Sequence, residues 1–324
     1  MQNKIFNIQN QQEFTEVALA IFKHQFTHNK VYRSFCDLLY IHPSSVLAVE
    51  EIPFLPIQFF KSREVLSSLD EVQEIFTSSG TTGSSISKHL VTDINLYKES
   101  YLKGFSHFYG NIEEYTILAL LPNYLEREGS SLVFMVADLI QKSKKPESGF
   151  YLDNMQELAE KLTELDKTGQ KTLLIGVSFA LLDLIEMQQF NLKNTTIMET
   201  GGMKGRRKEL VREELHAILK DGFGVTEIHS EYGMTELLSQ GYSKGNGLFE
   251  TPPWMKILTR DTEDALTINA SGKNGGINVI DLANYNSCSF IATQDLGKVY
   301  ENGMFEIIGR FDSSDIRGCN LMVL

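Results

Sequence analysis

Cysteine is scarce in this sequence: Cys36, Cys288 and Cys319 are the only thiols in 324 residues. An odd number at such wide spacing makes neither a disulfide framework nor a zinc site. No apolar run approaches the ~18 residues that a membrane-spanning helix needs. The opening MQNKIFNIQNQQEF is polar and broken, without the charged-then-apolar order of a secretory signal. Basic residues are in deficit, 30 Lys and Arg against 42 Asp and Glu, for a net charge of −12 and a pI of about 5.1. That balance argues against nonspecific nucleic-acid binding and against attraction to an anionic membrane, while leaving room for a local basic pocket around a phosphate. Repeats, low-complexity tracts and flexible linkers are also missing. A cytoplasmic globular protein is expected.

What is present points to a full core. Hydrophobic residues make up 42% and charged residues 22%, as in globular proteins generally, and the length suits one large or two medium domains. The first 75 residues read as helical: Phe14, Val17, Ala18, Ile21 and Phe22 recur at helical spacing. A proline-punctuated connection, IHPSSVLAVEEIPFLPIQFF, follows. From about residue 112 short apolar runs alternate with amphipathic stretches. YTILALLP, KTLLIGVS, NTTIMET and VTEIHSEYG read as strands; SSLVFMVADLIQKSKK, NMQELAEKLTELDKTG, FALLDLIEMQQF and GRRKELVREELHAILKDGFG read as helices. Such alternation predicts an α/β fold with a doubly wound, mostly parallel sheet. Beyond about residue 250 the helices stop, and PPWMKILTRD, GGINVIDLA, SCSFIATQDLGKVY and GMFEIIGR read as β segments between turns. The expected organisation is a helical region at 1–75, a nucleotide-binding α/β body at 76–250 and a β-rich subdomain at 251–324 ending in a short tail, integrated as one catalytic domain.

The most unusual stretch is EIFTSSGTTGSSISKHLVT. Thr77 to Ser85 are nine consecutive residues that are hydroxylated or glycine, with Lys88 shortly behind. Hydroxyls and glycine amides can wrap an oxyanion, because each donor is short and glycine lets the backbone come close. A lysine can add a cation to a triphosphate. The same composition also fits a solvated surface loop. It is not a Walker loop, since no G-x-x-x-x-G-K-[ST] register is present, and it lacks the dinucleotide G-x-G-x-x-G.

Three other segments give the loop a context. TSSGTTGSSISK resembles the phosphate-binding motif of the AMP-forming adenylating superfamily, the acyl-CoA synthetases and their relatives. SEYGMTEL (Ser230–Leu237) is similar to that superfamily's Y-G-x-T-E motif. ETGGMKG (Glu199–Gly205) stands where those proteins have an adenine-contacting Gly-Gly turn, and TQDLGKVYENGMFEIIGRFD (Thr293–Asp312) resembles their T-G-D-L-G…G-R-x-D stretch. Four motifs in the expected order span residues 77 to 312. Within the superfamily, LPNYLEREGSSLVFM and the ending GRFDSSDIRGCNLMVL resemble the LuxE-type acyl-protein synthetases of bacterial fatty-acid reductase systems.

The resemblance implies ATP and Mg2+ as cofactors and a site drawn from these motifs. Thr77, Ser78, Ser79, Gly80, Thr81, Thr82 and Gly83 would hold the β- and γ-phosphates with Lys88 nearby. Thr235 would contact the AMP phosphate and Glu236 would hold Mg2+, a hard cation suited to one carboxylate plus phosphate oxygens. A Thr-Glu pair before Leu-Leu also fits a helix cap. Tyr232 and Gly233 would lie beside adenine, with Gly201 and Gly202 admitting the base. Asp295 would accept from the ribose hydroxyls, Arg310 would approach ribose or phosphate, and Asp312 would lie at the hinge. Gln294 stands where many relatives have glycine, which puts the local turn in question.

Typical members continue for about a hundred residues past G-R-x-D as a mobile lid that carries a lysine. Here 12 residues follow Asp312, so the expected architecture is the superfamily's large domain with the lid absent, as in the short LuxE-type proteins. In those proteins a cysteine near the C-terminus takes the acyl group as a thioester, and DIRGCNL aligns Cys319 with that nucleophile. Arg317 would lower its pKa modestly, although a lone cysteine near an end also reads as a bystander. Cys36 and Cys288 read as buried small hydrophobes. His89 and His229 lie beside motifs without forming a site. The implied activity is ATP-dependent activation of a fatty or other apolar carboxylic acid, with transfer to Cys319 for an acyl reductase or acyl carrier protein partner. The rivals are a lid-less CoA or carrier-protein ligase using an external thiol, and a non-catalytic nucleotide- or acyl-binding subunit.

Overall fold

Two runs in the middle of the chain, Thr116–Leu120 and Thr172–Gly176, are buried at every position. That is the signature of strands covered on both faces, as in parallel sheets. The computed structural model describes residues 2–78, 86–122, 129–202 and 210–311. Within these the two strands pair in parallel, and the sheet continues through Thr195–Glu199 and His229–Tyr232, also parallel. Gly149–Phe150 pairs in parallel on the other side of Thr116–Leu120. Beyond His229–Tyr232 the sheet turns antiparallel with Gly241–Ser243 and then Phe249–Glu250.

The helices between these strands are those expected. Ser131–Ser143 starts where Ser130 accepts from the Val133 amide. Met155–Thr168 ends at Gly169 and Arg212–Phe223 at Gly224, both in the left-handed conformation that ends many helices. Ser178–Met187 buries every residue from Ser178 to Ile185 except Asp183, as its largely apolar sequence requires. Two elements add to the reading. Lys88–Val91 pairs antiparallel with Glu74–Thr77 as a separate hairpin, and Ile94–Tyr109 is a helix capped by Asp93.

The described residues fall into two compact units, one within 72–252 and one within 1–71 and 253–324. In the second, Met255–Arg260, Asn274–Asp281, Phe290–Val299 and Phe305–Arg310 form an antiparallel meander. The short strand Leu55–Pro56, hidden in the proline-rich connection, joins it in parallel beside Phe290–Val299. Helix Gln11–His28 buries Phe14, Val17, Ala18, Ile21 and Phe22 as its spacing dictates. Phe290 gathers Phe22, Tyr32 and Phe54 around it. Polar ties fix the register: the buried Gln25 amide donates to Asn284 O at 2.9 Å and accepts from the Ser289 amide at 2.9 Å. Such ties are each worth about 1 kcal/mol while made and cost more when one partner is removed. No helix among the described residues is long and apolar enough to cross a membrane.

Candidate active site

In doubly wound sheets ligands sit outside the carboxyl ends of the parallel strands. Two of the motifs lie there, on neighbouring strands. Thr195–Glu199 leads into Gly201 and Gly202, both with positive φ (73° and 93°), a backbone path that glycine takes without strain. His229–Tyr232 leads into Gly233, Met234 and then a turn at Thr235 and Glu236. No helix starts there, so the capping alternative for the Thr-Glu pair does not hold. Tyr232 and Glu236 are buried, Thr235 is half-buried and Gly233 is exposed.

Glu199 braces this end of the sheet. Its Oε1 accepts from Ser230 Oγ at 2.8 Å and its Oε2 from the Gly201 amide at 2.7 Å, with Ser178 Oγ at 3.3 Å. His216 Nε2 lies 3.5 Å from Oε1. Burial opposes the charge on Glu199. The hydrogen bonds from His216, Ser230 and Gly201, helped by the charge of Arg212, outweigh it and hold the carboxyl below its usual value. The motif reading quoted Glu199 without giving it a role.

The hydroxyl hairpin reaches the Thr235 turn through a second residue that the sequence reading left aside. His89 is buried, and its Nδ1 lies 2.9 Å from the Thr235 carbonyl oxygen, so Nδ1 carries the proton and donates. Burial lowers its pKa to about 4, and the bond to Thr235 offsets only part of that. Lys88 precedes His89 on the strand, so its side chain projects to the opposite, exposed face. It stands in register with Thr77 and forms no ion pair with described residues. The Thr77 amide donates to Gly129 O at 2.7 Å and the Ser78 amide to Ser87 O at 3.1 Å. Ser78 Oγ in turn accepts from the Ser87 amide at 3.0 Å. Among the described residues, therefore, the amides of Thr77 and Ser78 are taken and their hydroxyls are the donors left for a ligand. Ser79, Gly80, Thr81, Thr82 and Gly83 lie outside the described residues, as do Asp312, Arg317 and Cys319.

Asp295 and Arg310 belong to the other unit. They face each other in register on adjacent strands, and Arg310 Nε lies 3.2 Å from Asp295 Oδ1. Arg310 is largely exposed, at 72%, while Asp295 is 12% exposed. The strand Phe290–Val299 shifts register around Gln294: Ala292 pairs with Asn278 and Leu296 with Gly276, so three residues stand opposite the single Ile277, and the Gln294 carbonyl accepts from the Phe311 amide at 2.7 Å. Gln294 has no positive φ, so the conformation there does not require glycine. Cys36 and Cys288 are buried. Burial pushes the Cys36 thiol up to about 12 and the Cys288 thiol higher still, which leaves both unreactive.

Among the described residues no group of three or more His, Cys, Asp or Glu could cage a metal. The buried Glu236 carboxylate suits a cation that arrives with a nucleotide and takes its remaining ligands from phosphate oxygens and water.

One further carboxyl is unusual. Glu231 is raised to about 8, by burial first and by the charge of Glu199 second. Between its unperturbed 4.5 and about 8, the folded chain keeps a proton that the unfolded chain has released, so stability falls as pH rises through that window. His89 and His229, both lowered to about 4, act in the opposite sense and only below about pH 6.5. Glu231→Gln is therefore expected to gain roughly 1–3 kcal/mol over the parent near pH 8, since interiors relax and soften the full shift. Urea denaturation at about pH 6.5 and 8 checks this; equal differences at the two values would show a carboxyl that is ionised throughout.

The fold is that of the adenylate-forming ligases. The chain is similar to an open conformation of 2-hydroxyisobutyryl-CoA ligase in complex with 2-HIB-AMP and CoA (TM-score 0.67, 10% identity, 93% of this chain and 70% of that one). It is also similar to ATP-bound MatB from Rhodopseudomonas palustris (TM-score 0.56, 17% identity, 75% of this chain), of which it spans about half, 49%. Residues 5–115 match the family model described as acyl-protein synthetase, LuxE. A long-chain-fatty-acid–luciferin-component ligase of Vibrio harveyi is 23% identical over 98% of this chain and 89% of its own length. Its counterpart from Photorhabdus luminescens is 32% identical over 21% of this chain and 59% of its own. These matches bear out the LuxE-type likeness that the motifs carry.

Proposed function

We propose that the protein activates a carboxylic acid, in the first instance a long-chain fatty acid, with MgATP as an acyl-adenylate and then passes the acyl group to Cys319 for delivery to a partner protein. A carboxylate oxygen forms a bond to the α-phosphorus while the bond to the bridging β-phosphate oxygen breaks and pyrophosphate leaves. The Cys319 thiolate then attacks the acyl carbon, the carbon–oxygen bond to AMP breaks, and AMP departs. The observation that carries this reading is the hydrogen bond from His89 to Thr235 O, which ties the hydroxyl-rich hairpin to the Thr-Glu turn at the carboxyl end of the sheet.

Each step draws on positioning and on donors aimed at developing charge. The hydroxyls of Thr77 and Ser78, with Ser79 to Gly83 and Lys88, would hold the β- and γ-phosphates. Thr235 would meet the α-phosphate. Glu236 would hold Mg2+, which when bound supplies charge neutralisation between the phosphates. Tyr232 and Gly233 would flank the adenine admitted by Gly201 and Gly202, and Asp295 with Arg310 would take the ribose. The acid named in the ligase relatives, a long-chain fatty acid, supports the substrate class. An acyl reductase or acyl carrier protein is the partner that a protein-bound thioester would serve. A soluble, cytoplasmic setting suits such a carrier.

The test incubates the pure protein with MgATP and a panel of carboxylic acids, following pyrophosphate and intact mass together. Pyrophosphate release with an acyl adduct on Cys319 is expected. Pyrophosphate without an adduct transfers the second step to an external thiol. Neither signal, with partner proteins added, leaves a binding subunit.

A further inference from the structure

Arg260 is the last residue of the strand Met255–Arg260 and is 9% exposed. A buried guanidinium is costly unless its donors are met, and here they are met at distances of charge-assisted bonds. Nη1 donates to Ile277 O at 2.7 Å and to Asn278 Oδ1 at 2.8 Å, and Nη2 donates to Thr293 O at 2.6 Å. To reach Thr293 the side chain crosses the intervening strand Asn274–Asp281 at Gly276, its register partner. A Cβ there would lie 2.6 Å from the guanidinium carbon and 2.9 Å from the Phe311 ring, so this crossing needs glycine. Phe311 covers the guanidinium with its ring centre 5.6 Å away, and the Phe311 amide is held by Gln294 O at 2.7 Å.

The same bonds lead to Asp295. Thr293, whose carbonyl Arg260 holds, donates its hydroxyl to Ile277 O at 2.9 Å and accepts the Asp295 amide at 3.1 Å. Ile277 O thus receives both Arg260 and Thr293, and the backbone of Asp295 is fixed one bond further on. Burial disfavours the charge on Arg260, and the nearby Asp295 carboxylate offsets part of that penalty. On its outer side Asp295 meets the exposed Arg310. One arginine is fixed within the sheet; the other meets Asp295 from the solvent side.

We propose that Arg260 is the positioning residue for Asp295: through Thr293 it holds the carboxylate in the one orientation that accepts both ribose hydroxyls of the nucleotide. This rests on the role given to Asp295 above. A lysine cannot replace it, because three bonds to three acceptors in a plane need the guanidinium fork.

The experiment measures binding of MgATP and of Mg-2′,3′-dideoxy-ATP by calorimetry, without the acid, to the parent and to Arg260→Lys, Thr293→Val and Asp295→Asn, with a thermal melt of each. The parent is expected to favour ATP by about tenfold or more, the worth of charge-assisted bonds to two hydroxyls. Asp295→Asn should bring the ratio near one, and Arg260→Lys and Thr293→Val should each lower it severalfold by weakening ATP far more than the dideoxy compound. A role confined to stability would weaken both ligands together and leave the ratio intact. If Asp295→Asn collapses the ratio and folded Arg260→Lys or Thr293→Val does not, the assignment to Arg260 is overturned. If the parent does not discriminate, the reading of Asp295 falls and this inference with it.

Discussion

Cys319→Ala is expected to form no acyl adduct while still releasing pyrophosphate from MgATP and the acid. A thiolate reacts with an acyl-adenylate readily, and nothing in an alanine replaces it, so loss of loading by a factor of about a thousand or more is anticipated. The other two thiols cannot substitute. Cys36 and Cys288 are buried in the unit that contains helix Gln11–His28, with thiol pKa values pushed well above neutrality. Iodoacetamide footprinting of the folded parent should accordingly label Cys319 first, and prior labelling should block loading but not adenylation. Adduct formation on the alanine variant, or loading that survives alkylation of Cys319, would remove this residue from the mechanism. Adenylation that falls together with loading would instead mean that the segment around Cys319 takes part in the first step.

Elements of the fold differ in how plainly the sequence writes them. The strands Thr116–Leu120 and Thr172–Gly176 were legible because burial on both faces writes an unbroken apolar run. Of the helices that follow, Met155–Thr168 and Arg212–Phe223 announced their ends with glycines. The meander after residue 250 showed as apolar segments between turns. Leu55–Pro56 was hidden because a two-residue strand that itself includes a proline leaves no period, and it becomes a strand only by lying against Ile291 and Ala292. The site divided in the same way. Thr77, Lys88, Gly201, Gly202, Thr235 and Glu236 sit in local motifs and could be picked out one by one. Glu199, His89 and Arg260 could not, because each acts on a group remote in sequence: Ser230 for Glu199, Thr235 for His89, Thr293 for Arg260. A bond between residues 146 positions apart leaves no trace in either neighbourhood. Gln294 shows the converse. Read as a departure from a glycine-bearing motif it put the local turn in question; the strand does shift register there, against Ile277, but without a positive φ, so a residue other than glycine can take the position.

Glu236→Gln carries the second large expectation, a loss of about 10²–10³ in kcat/KM for adenylation, equivalent to roughly 3–4 kcal/mol of transition-state stabilisation. The amide keeps the shape of the side chain and one oxygen but removes the charge that a hard dication selects. Because pyrophosphate leaves with growing negative charge, weaker cation binding should raise the Mg2+ concentration for half-maximal rate and lower the rate at saturation as well. Glu236 is buried in a turn, with Leu237 N donating to Met234 O at 3.1 Å, so a purely architectural role is the competing account. That account predicts a lower melting temperature and rates that fall alike at every Mg2+ concentration. The cation-holding account predicts a nearly unchanged melt and a displaced Mg2+ dependence. Thr235→Val separates the two neighbours. Its carbonyl, which His89 holds, is untouched, so the turn should persist while the hydroxyl proposed for the α-phosphate is lost, lowering kcat with little change in the Mg2+ requirement. Glu236→Gln retaining activity within about threefold of the parent would take the carboxylate out of the metal site, and the search for the cation's ligand would move to Ser79 through Ser85.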